Sequence, residues 1–199
     1  MKIYIVLFFY GITLLFYSCS EDPASSNQQQ GASAITQDGW GKYFQAGLYS
    51  EALAKFITAI EEDATYADAY DGAGWASARL SQLENAVNYF NDCLEIDDSI
   101  VDACGGLAFT YYAQKEYESA IAFSNQALNK KSNWVFTYDK SISYKDIHLV
   151  IAGSYYVLKD YSNALSHVKK LNASFYADIN TEEGKAQLAQ EIERLNKIM

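Results

Sequence analysis

The stretch Gly47-Leu48-Tyr49-Ser50-Glu51-Ala52 decides the fold, because the sequence repeats its pattern three more times. Each copy consists of a turn, a hydrophobic residue, two polar residues and an alanine, and the further copies occupy residues 81–86, 115–120 and 159–164. The first three alanines are 34 residues apart and the fourth follows after 44, which is one period plus ten inserted residues: Ala52, Ala86, Ala120 and Ala164. Self-similarity at this fixed length predicts a stack of helical pairs.

The residues around each alanine resemble the tetratricopeptide repeat, over about residues 34–171. The family places a small residue twelve positions before the alanine, where two helices cross closely, and here these are Gly74, Ala108 and Ala152. Positions four and seven after the alanine pack on the next repeat, and here they are Phe56/Ala59, Phe90/Cys93, Ser124/Ala127 and Val168/Leu171. Trp40 departs from the pattern at the first small position, so the first helix must cross differently or start late.

The resemblance implies an all-α fold, a right-handed α-solenoid of about four helix pairs with a C-terminal capping helix. The repeats span about 34–66, 67–99, 100–132 and 144–175, and an insertion fills 133–143. The predicted helices are 34–46, 49–62, 67–80, 83–95, 100–113, 117–129, 145–158 and 161–171. The capping helix covers 181–199, with Thr181 as its N-cap residue. Its apolar stripe consists of Leu188, Ile192 and Leu195, and its outer face of Glu191, Arg194 and Lys197.

The N-terminal residues of the sequence predict that the protein is exported. Apart from Lys2, residues 1–18 are uncharged, and the run from Ile3 to Phe16 is apolar except for Gly and Thr. A helix of 14 residues would rise only about 21 Å, short of the ~30 Å hydrocarbon core, which favours a signal peptide over a spanning helix. Cys19 closes this run and resembles the lipidated cysteine of bacterial lipoproteins; ordinary secretory cleavage nearby is the alternative. Residues 19–33 are polar and predict a flexible tether that holds the domain at a periplasmic or outer-membrane surface.

The charge distribution disfavours nucleic acid as a partner. The chain has 25 acidic and 15 basic residues, and the excess lies in residues 36–103, with thirteen acidic and three basic. Nucleic-acid binding needs basic patches, which this region lacks. An acidic surface is either simply solvated or attracts a basic or extended peptide of a protein partner.

No pattern in the sequence predicts catalysis, a metal or a cofactor. His148 and His167 fall on different predicted helices without further ligands at metal-binding spacing, and no phosphate-binding loop or nucleophile motif is present. Cys93 and Cys104 are near neighbours in the predicted stack, where they are either buried free thiols or a disulfide.

In the family, the first helices of successive repeats line a concave groove. The corresponding positions predict an acidic, aromatic groove formed by Asp68, Asp71, Trp75, Arg79, Asp102, Phe109, Tyr112, Asp146, Gly153 and Tyr156. The family's Lys/Asn clamp for an acidic C-terminus is absent. Asp68, Asp102 and Asp146 stand at helix starts, where the helix dipole alone accounts for them. Trp75 and Tyr112 are either exposed binding residues or part of the core.

Trp134, Phe136 and Tyr138 alternate within the insertion and therefore emerge on one side of an extended segment. Either they cover the apolar seam where the stack is interrupted, or they contact a ligand.

Three hypotheses for function follow. The first is a lipid-anchored envelope scaffold that binds a protein partner in the groove, and it requires no cofactor. The second is a glycan-binding lipoprotein in which Trp75, Tyr112 and the insertion stack on sugar rings. The third is a structural spacer or homo-oligomer.

Overall fold

The computed structural model describes residues 23–198, with side chains described between 31 and 197. The predicted signal peptide 1–18 and Cys19 lie outside this range. The described residues form nine α-helices: α1 Pro23–Asp38, α2 Tyr49–Glu62, α3 Ala67–Arg79, α4 Leu83–Ile96, α5 Val101–Gln114, α6 Tyr117–Lys130, α7 Tyr144–Val157, α8 Tyr161–Leu171 and α9 Glu182–Ile198. A π-helical turn, Gly39–Phe44, continues α1. Between α2 and α8 each helix begins and ends within one residue of its predicted bounds. Within residues 23–198, no helix combines the length and apolar character needed to cross a membrane.

The helices form two layers, and the odd-numbered ones make the inner layer. Each odd-numbered helix contacts the next odd-numbered helix, from α1 through α9. Among the described residues, no such contacts join α2, α4, α6 and α8 to one another. One layer is therefore compact and the other spread out, which curves the stack into a solenoid with a concave face on the odd-numbered helices.

The repeated small residues bring the layers together. Ala52, Ala86, Ala120 and Ala164 are fully buried. Phe90 of α4 lies between Gly74 of α3 and Gly106 of α5, and a Cβ added at Gly74 would come within 2.5 Å of the ring. Such contacts leave no space for larger side chains, because the protein interior between the helices is packed as densely as a crystal of small organic molecules. The repeat pattern therefore fixes both the helix pairing and the stacking.

A left-handed residue precedes each of these alanines by five positions and turns the chain from the first helix of a pair into the second. These residues are Gly47, Ser81, Lys115 and Lys159, with φ between 60° and 77°. Only the first is a glycine, so the other three turns hold an L-residue in a conformation that costs about 1–2 kcal/mol. The packing of the flanking helices compensates for this strain.

Residues 23–33 differ from the sequence prediction. The segment was expected to be part of a flexible tether, but α1 begins at Pro23. Ala32 is fully buried with Ala59 and Ala69, and Thr36 is buried as well. Packing of α1 against α2 and α3 therefore provides apolar contacts that composition alone did not reveal.

Trp40 fits its unusual place because the helix widens around it. The amide of Gln45 donates to the carbonyl of Trp40 at 3.1 Å, a five-residue spacing that defines a π-turn. The indole is 1% exposed and packs against Phe44 and Phe56, with ring centroids 4.9 and 4.8 Å away. The first pair therefore starts earlier than predicted, and it accommodates a large side chain where later pairs have a small one.

The last helix, α9, packs on α7 and α8 and caps the stack. The hydroxyl of Thr181 accepts from the amide of Gly184 at 3.0 Å, and Leu188 and Leu195 are buried. Glu191 was assigned wrongly to the outer face, because it is only 8% exposed. Asn172 and Arg194 donate to its carboxylate at 2.8 and 2.7 Å, so partly buried hydrogen bonds hold this charge in place.

Candidate partner-binding face

The insertion folds into the concave face instead of projecting from the stack. Val135 and Ser143 form an antiparallel bridge, and the amides of Phe136 and Tyr144 donate to the carbonyls of Ile142 and Trp134. Asp139 closes the turn by accepting from the amide and hydroxyl of Ser141. The insertion is therefore a small hairpin-like loop that satisfies many of its own backbone groups.

The aromatic side chains of the insertion stack on those of the concave face. Tyr138 lies parallel to Trp40 with ring centroids 3.8 Å apart, and Phe136 stacks on Trp75 at 4.0 Å. Trp134 and Phe136 are fully buried. A Cβ added at Gly105 would come within 2.8 Å of the Trp134 ring, so this glycine makes room for the indole. The alternating rings thus emerge on one side, as predicted, and cover the concave surface of α3 and α5.

Polar contacts fix the insertion in place. The indole nitrogen of Trp134 donates to Asp102 at 2.6 Å, and the amide of Thr137 donates to the same carboxylate at 3.2 Å. At the other end of the loop, Arg79 forms an ion pair with Asp139 at 3.0 Å. Gln45 donates to the carbonyl of Tyr138, 93 residues away along the chain. These contacts reach from the first repeat to the third.

The predicted groove is therefore divided into two parts. The covered half is the concave surface beneath the insertion, with Asp68, Asp71, Trp75 and Asp102. Trp75 is 3% exposed, so the interpretation of Trp75 as an exposed binding residue is wrong. Because Trp75, Trp134 and Phe136 have no free ring face, sugar stacking on these three residues is excluded as well.

The open half lies beyond Phe109, between α5, α7 and α9. A cavity of about 400 Å³ there is lined by five predicted groove residues and by further residues of α7 and α9: Phe109, Tyr112, Asp146, Gly153, Tyr156, Leu149, Val150, Val157, Ala189, Ile192, Glu193 and Asn196. Tyr112 is 37% exposed and Val157 is 50% exposed. Sequence reasoning missed Leu149, Val150 and Val157, although their helical spacing from Asp146 and Gly153 places all of them on one face.

Asp146 has a structural role beside this cavity. Its carboxylate accepts from the amide of Ser143 at 2.7 Å, and the Ser143 hydroxyl accepts from the amide of Lys145. This capping arrangement starts α7 directly after the insertion. Local helix capping therefore explains Asp146 without a ligand.

Three carboxyl groups gather at the N-terminal ends of α3 and α5. Asp71 is 1% exposed, and its Oδ1 has no hydrogen-bond partner. Burial raises the pKa of Asp68 to about 6; the Trp40 indole opposes this rise, and the charge of Asp102 adds a smaller increase. Burial raises the pKa of Asp71 well above its ordinary value, and the charges of Asp102 and Asp68 add to this effect. Asp68 and Asp71 in the covered half therefore hold a proton more tightly than an exposed aspartate does.

His148 and His167, which the sequence left without partners, meet between α7 and α8. Their Nδ1 atoms are 3.2 Å apart, so one ring must donate to the other. Burial lowers the pKa of both histidines to about 4, and the charge of Lys170 contributes. In the described part of the chain, no group of three or more His, Cys, Asp or Glu residues is arranged to hold a metal ion.

Cys93 and Cys104 are both free and buried. Burial raises the pKa of the Cys104 thiol to about 11 and that of Cys93 further. The thiolate is the nucleophilic form, so neither residue is set up for covalent chemistry.

Comparison with known proteins supports the fold. A MamA crystal structure superposes with a TM-score of 0.60 at 16% identity, covering 87% of this chain and 79% of that one. PilW, a type IV pilus biogenesis factor, gives 0.60 at 21% identity, covering 79% and 67%. The first tetratricopeptide domain of RPAP3, bound to the HSP90 peptide SRMEEVD, gives 0.52 at 20% identity, covering 69% and 95%.

Sequence comparison finds a relative that matches over only part of the chain. Superkiller protein 3 of Schizosaccharomyces pombe is 26% identical over 114 residues, and the match covers 48% of this chain but only 8% of that protein. No protein-family model matches the chain. The two helical layers and the similarity to these structures together show that the chain has the all-α fold of a tetratricopeptide-like solenoid.

Proposed function

We propose that this protein is a scaffold, held at the cell envelope by a lipid on Cys19, that binds an extended segment of a protein partner in the open half of its concave face. The observation that carries the proposal is the cavity of about 400 Å³ between α5, α7 and α9. Exposed Tyr112 and Val157 line it, and apolar or aromatic groups in a concave site are typical of protein recognition.

The insertion indicates what kind of segment this face accepts. Residues 134–138 lie on the covered half through stacked rings and through hydrogen bonds to backbone atoms, such as the amide of Thr137. A partner segment with aromatic or aliphatic side chains at alternate positions would make the same kinds of contact in the open half, with Tyr112 and Tyr156 as stacking surfaces.

Charge restricts the partner further. Asp146 and Glu193 border the open cavity, and the covered half contributes Asp68, Asp71 and Asp102. The similar domain of RPAP3 is bound to an acidic peptide, but this face is acidic and lacks the Lys/Asn clamp that such a peptide uses. A neutral or basic segment is therefore expected, and its binding should weaken as salt screens the attraction.

The sequence supports the envelope location. An apolar run ends at Cys19, and the polar residues 19–22 separate it from α1. Because α1 begins at Pro23, the proposed tether is shorter than the composition of residues 19–33 implied, and a shorter tether would hold the solenoid closer to the surface.

Site-directed photo-crosslinking in the native envelope tests the binding face. A photoreactive residue is placed at Tyr112 or at Val157, and a matched control at Asn88, which is exposed on α4 of the outer layer. A discrete adduct from Tyr112 and Val157 but not from Asn88 is expected. Adducts from all three positions, or from none, would overturn the proposed face, and an adduct of the chain with itself would indicate the homo-oligomer.

Metabolic labelling with a tagged fatty acid tests the anchor. The wild-type protein is expected to incorporate label and to sediment with membranes, whereas Cys19→Ala does neither. Equal labelling of the two proteins would refute lipidation at Cys19, while the crosslinking result would still decide the binding face.

A further inference from the structure

We propose that a cavity at the N-terminal ends of α3 and α5 binds the guanidinium group of an arginine from a protein partner, an inference that rests on the protein-binding function proposed above. The cavity has a volume of about 420 Å³. Asp68, Asp71 and Asp102 line it together with Trp134 and Tyr138 of the insertion. It therefore exists only because the insertion is folded onto the covered half.

The carboxyl groups of the cavity lack a cationic partner within the chain. Asp71 is 1% exposed, and its Oδ1 has no hydrogen-bond donor. The ion pairs formed by residues 31–197 do not include Asp68, Asp71 or Asp102. An unpaired buried carboxyl group destabilises the fold, so its presence beside an open cavity indicates a binding role.

The positive ends of the helix dipoles do not compensate all three carboxyl groups. Asp68 and Asp102 stand in the first turns of α3 and α5, where each helix terminus supplies about half a positive charge. Asp71 lies one turn further along α3, beyond the reach of that effect. Burial raises the pKa of both Asp68 and Asp71, and the charge of Asp102 raises both further. The charge of a bound cation would lower both pKa values.

The geometry favours a guanidinium group over a metal ion or an ammonium group. The three carboxyl groups lie close enough to interact electrostatically, yet within the described residues they are not arranged as metal ligands. A guanidinium group has five donors in a planar fork, which suits acceptors at separate positions. It is also weakly hydrated and stacks on aromatic rings such as that of Tyr138, which lines the cavity and is only partly buried.

The chain's own basic residues leave the site free. Its two arginines are both engaged elsewhere, Arg79 with Asp139 and Arg194 with Glu191. Lys131 lines the mouth of the cavity but is exposed and forms no ion pair with these carboxyl groups. The guanidinium group must therefore come from another molecule.

Titration of the folded protein with N-acetyl-arginine methylamide tests the proposal. Three tryptophans give three indole N–H signals in an NMR spectrum, and the signal of Trp134, which donates to Asp102, reports on the cavity. A saturable shift of that signal is expected with the arginine probe. The citrulline analogue, which has the same shape without the charge, should produce none. Equal shifts with both probes, or no saturable shift with arginine, would overturn the proposal.

Two substitutions locate the site. Asp68→Asn and Asp71→Asn each remove one ionisable carboxyl group with little change of volume, and each should weaken probe binding by about tenfold or more, since a charge-assisted hydrogen bond to the probe is lost. Asp98→Asn, an exposed acidic residue outside the cavity, should leave binding unchanged. Binding that survives both cavity substitutions would contradict the assignment. Should Asp71→Asn fail to fold, Asp68→Asn alone decides.

The pH dependence and the crosslinking result separate this inference from the function it rests on. Because the probe competes with protons on Asp68 and Asp71, it should bind more tightly as the pH rises through about 6. Binding independent of pH between 5 and 7.5 would contradict the site. The crosslinks from Tyr112 and Val157 report on the open half alone. Partner binding there can therefore be confirmed even if the cavity does not bind arginine, and arginine binding can be confirmed even if no crosslink forms.

Discussion

The covered and open halves of the concave face are built from the same kind of helix, but they present different side chains. The covered half has large flat rings at Trp40 and Trp75 and an aspartate, Asp102, placed to accept from Trp134. The open half has the exposed side chains of Tyr112 and Val157 around a cavity. Because the repeat constrains only the contacts between helices, residues of the concave face are free to differ from one repeat to the next. The covered half is complementary to the insertion, and the open half remains accessible to a partner.

Trp134→Ala should produce the largest difference between the halves. The indole is fully buried and hydrogen-bonded to Asp102, so its loss is expected to lower the free energy of unfolding by about 3–5 kcal/mol. Tyr112→Ala, in the open half, should cost less than about 1.5 kcal/mol because that ring is 37% exposed. Urea denaturation measures both. Similar losses would mean that the insertion contributes no more to stability than an exposed ring.

Two glycines sharpen the comparison. In Gly105→Ala the new methyl group meets the buried Trp134 ring at 2.8 Å, and overpacking should exceed the gain in helix propensity, for a net loss of about 1–2 kcal/mol. In Gly153→Ala it meets the hydroxyl of Tyr112 at 2.5 Å, but that exposed ring can move aside. Unchanged or slightly raised stability is expected there. Gly41→Ala, with open space around it, is the control.

The covered half and the histidine pair between α7 and α8 should respond oppositely to pH. Asp68 has its pKa raised from 3.8 to about 6, so its stabilising contribution is complete below pH 3.8 and is lost as the pH rises through about 6. His148 and His167 have theirs lowered from 6.5 to about 4, so their contribution is present above pH 6.5 and is lost as the pH falls through about 4.

Denaturation curves between pH 4 and 7 separate the two contributions. Asp68→Asn should make stability rise more steeply with pH, and His148→Gln combined with His167→Gln should make it rise less or fall. Asp98→Asn should follow the wild-type protein. Identical slopes for all four proteins would contradict both assignments.

The ion pair at the end of the insertion should have the smallest effect. Arg79 and Asp139 are each about one-third exposed, so Arg79→Met is expected to cost about 0.2–1 kcal/mol, and less at high salt. Lys145→Met, an exposed residue of α7, should cost nothing measurable. A loss above 2 kcal/mol would show that this pair, rather than aromatic stacking, holds the insertion in place.

Periodic features were predictable because they depend on near neighbours along the chain. The alanine that ends each copy of the repeated pattern, the small residues opposite Phe90 and the stripe of Leu188 and Leu195 each follow from helical spacing. The missed features lack a period. The helical state of residues 23–33, the π-turn at Trp40 and the burial of Glu191 all depend on neighbouring helices.

The sequence by itself determined the helix pairs, their boundaries and the all-α solenoid, since these result from local propensity and a repeated packing pattern. It also determined that Trp134, Phe136 and Tyr138 share one side. Only the tertiary structure decided where that side packs, because Gln45 and Tyr138 meet across 93 residues and no local rule encodes such a contact. The division of the concave face, the unpaired carboxyl group of Asp71 and the meeting of His148 with His167 are consequences of that long-range packing.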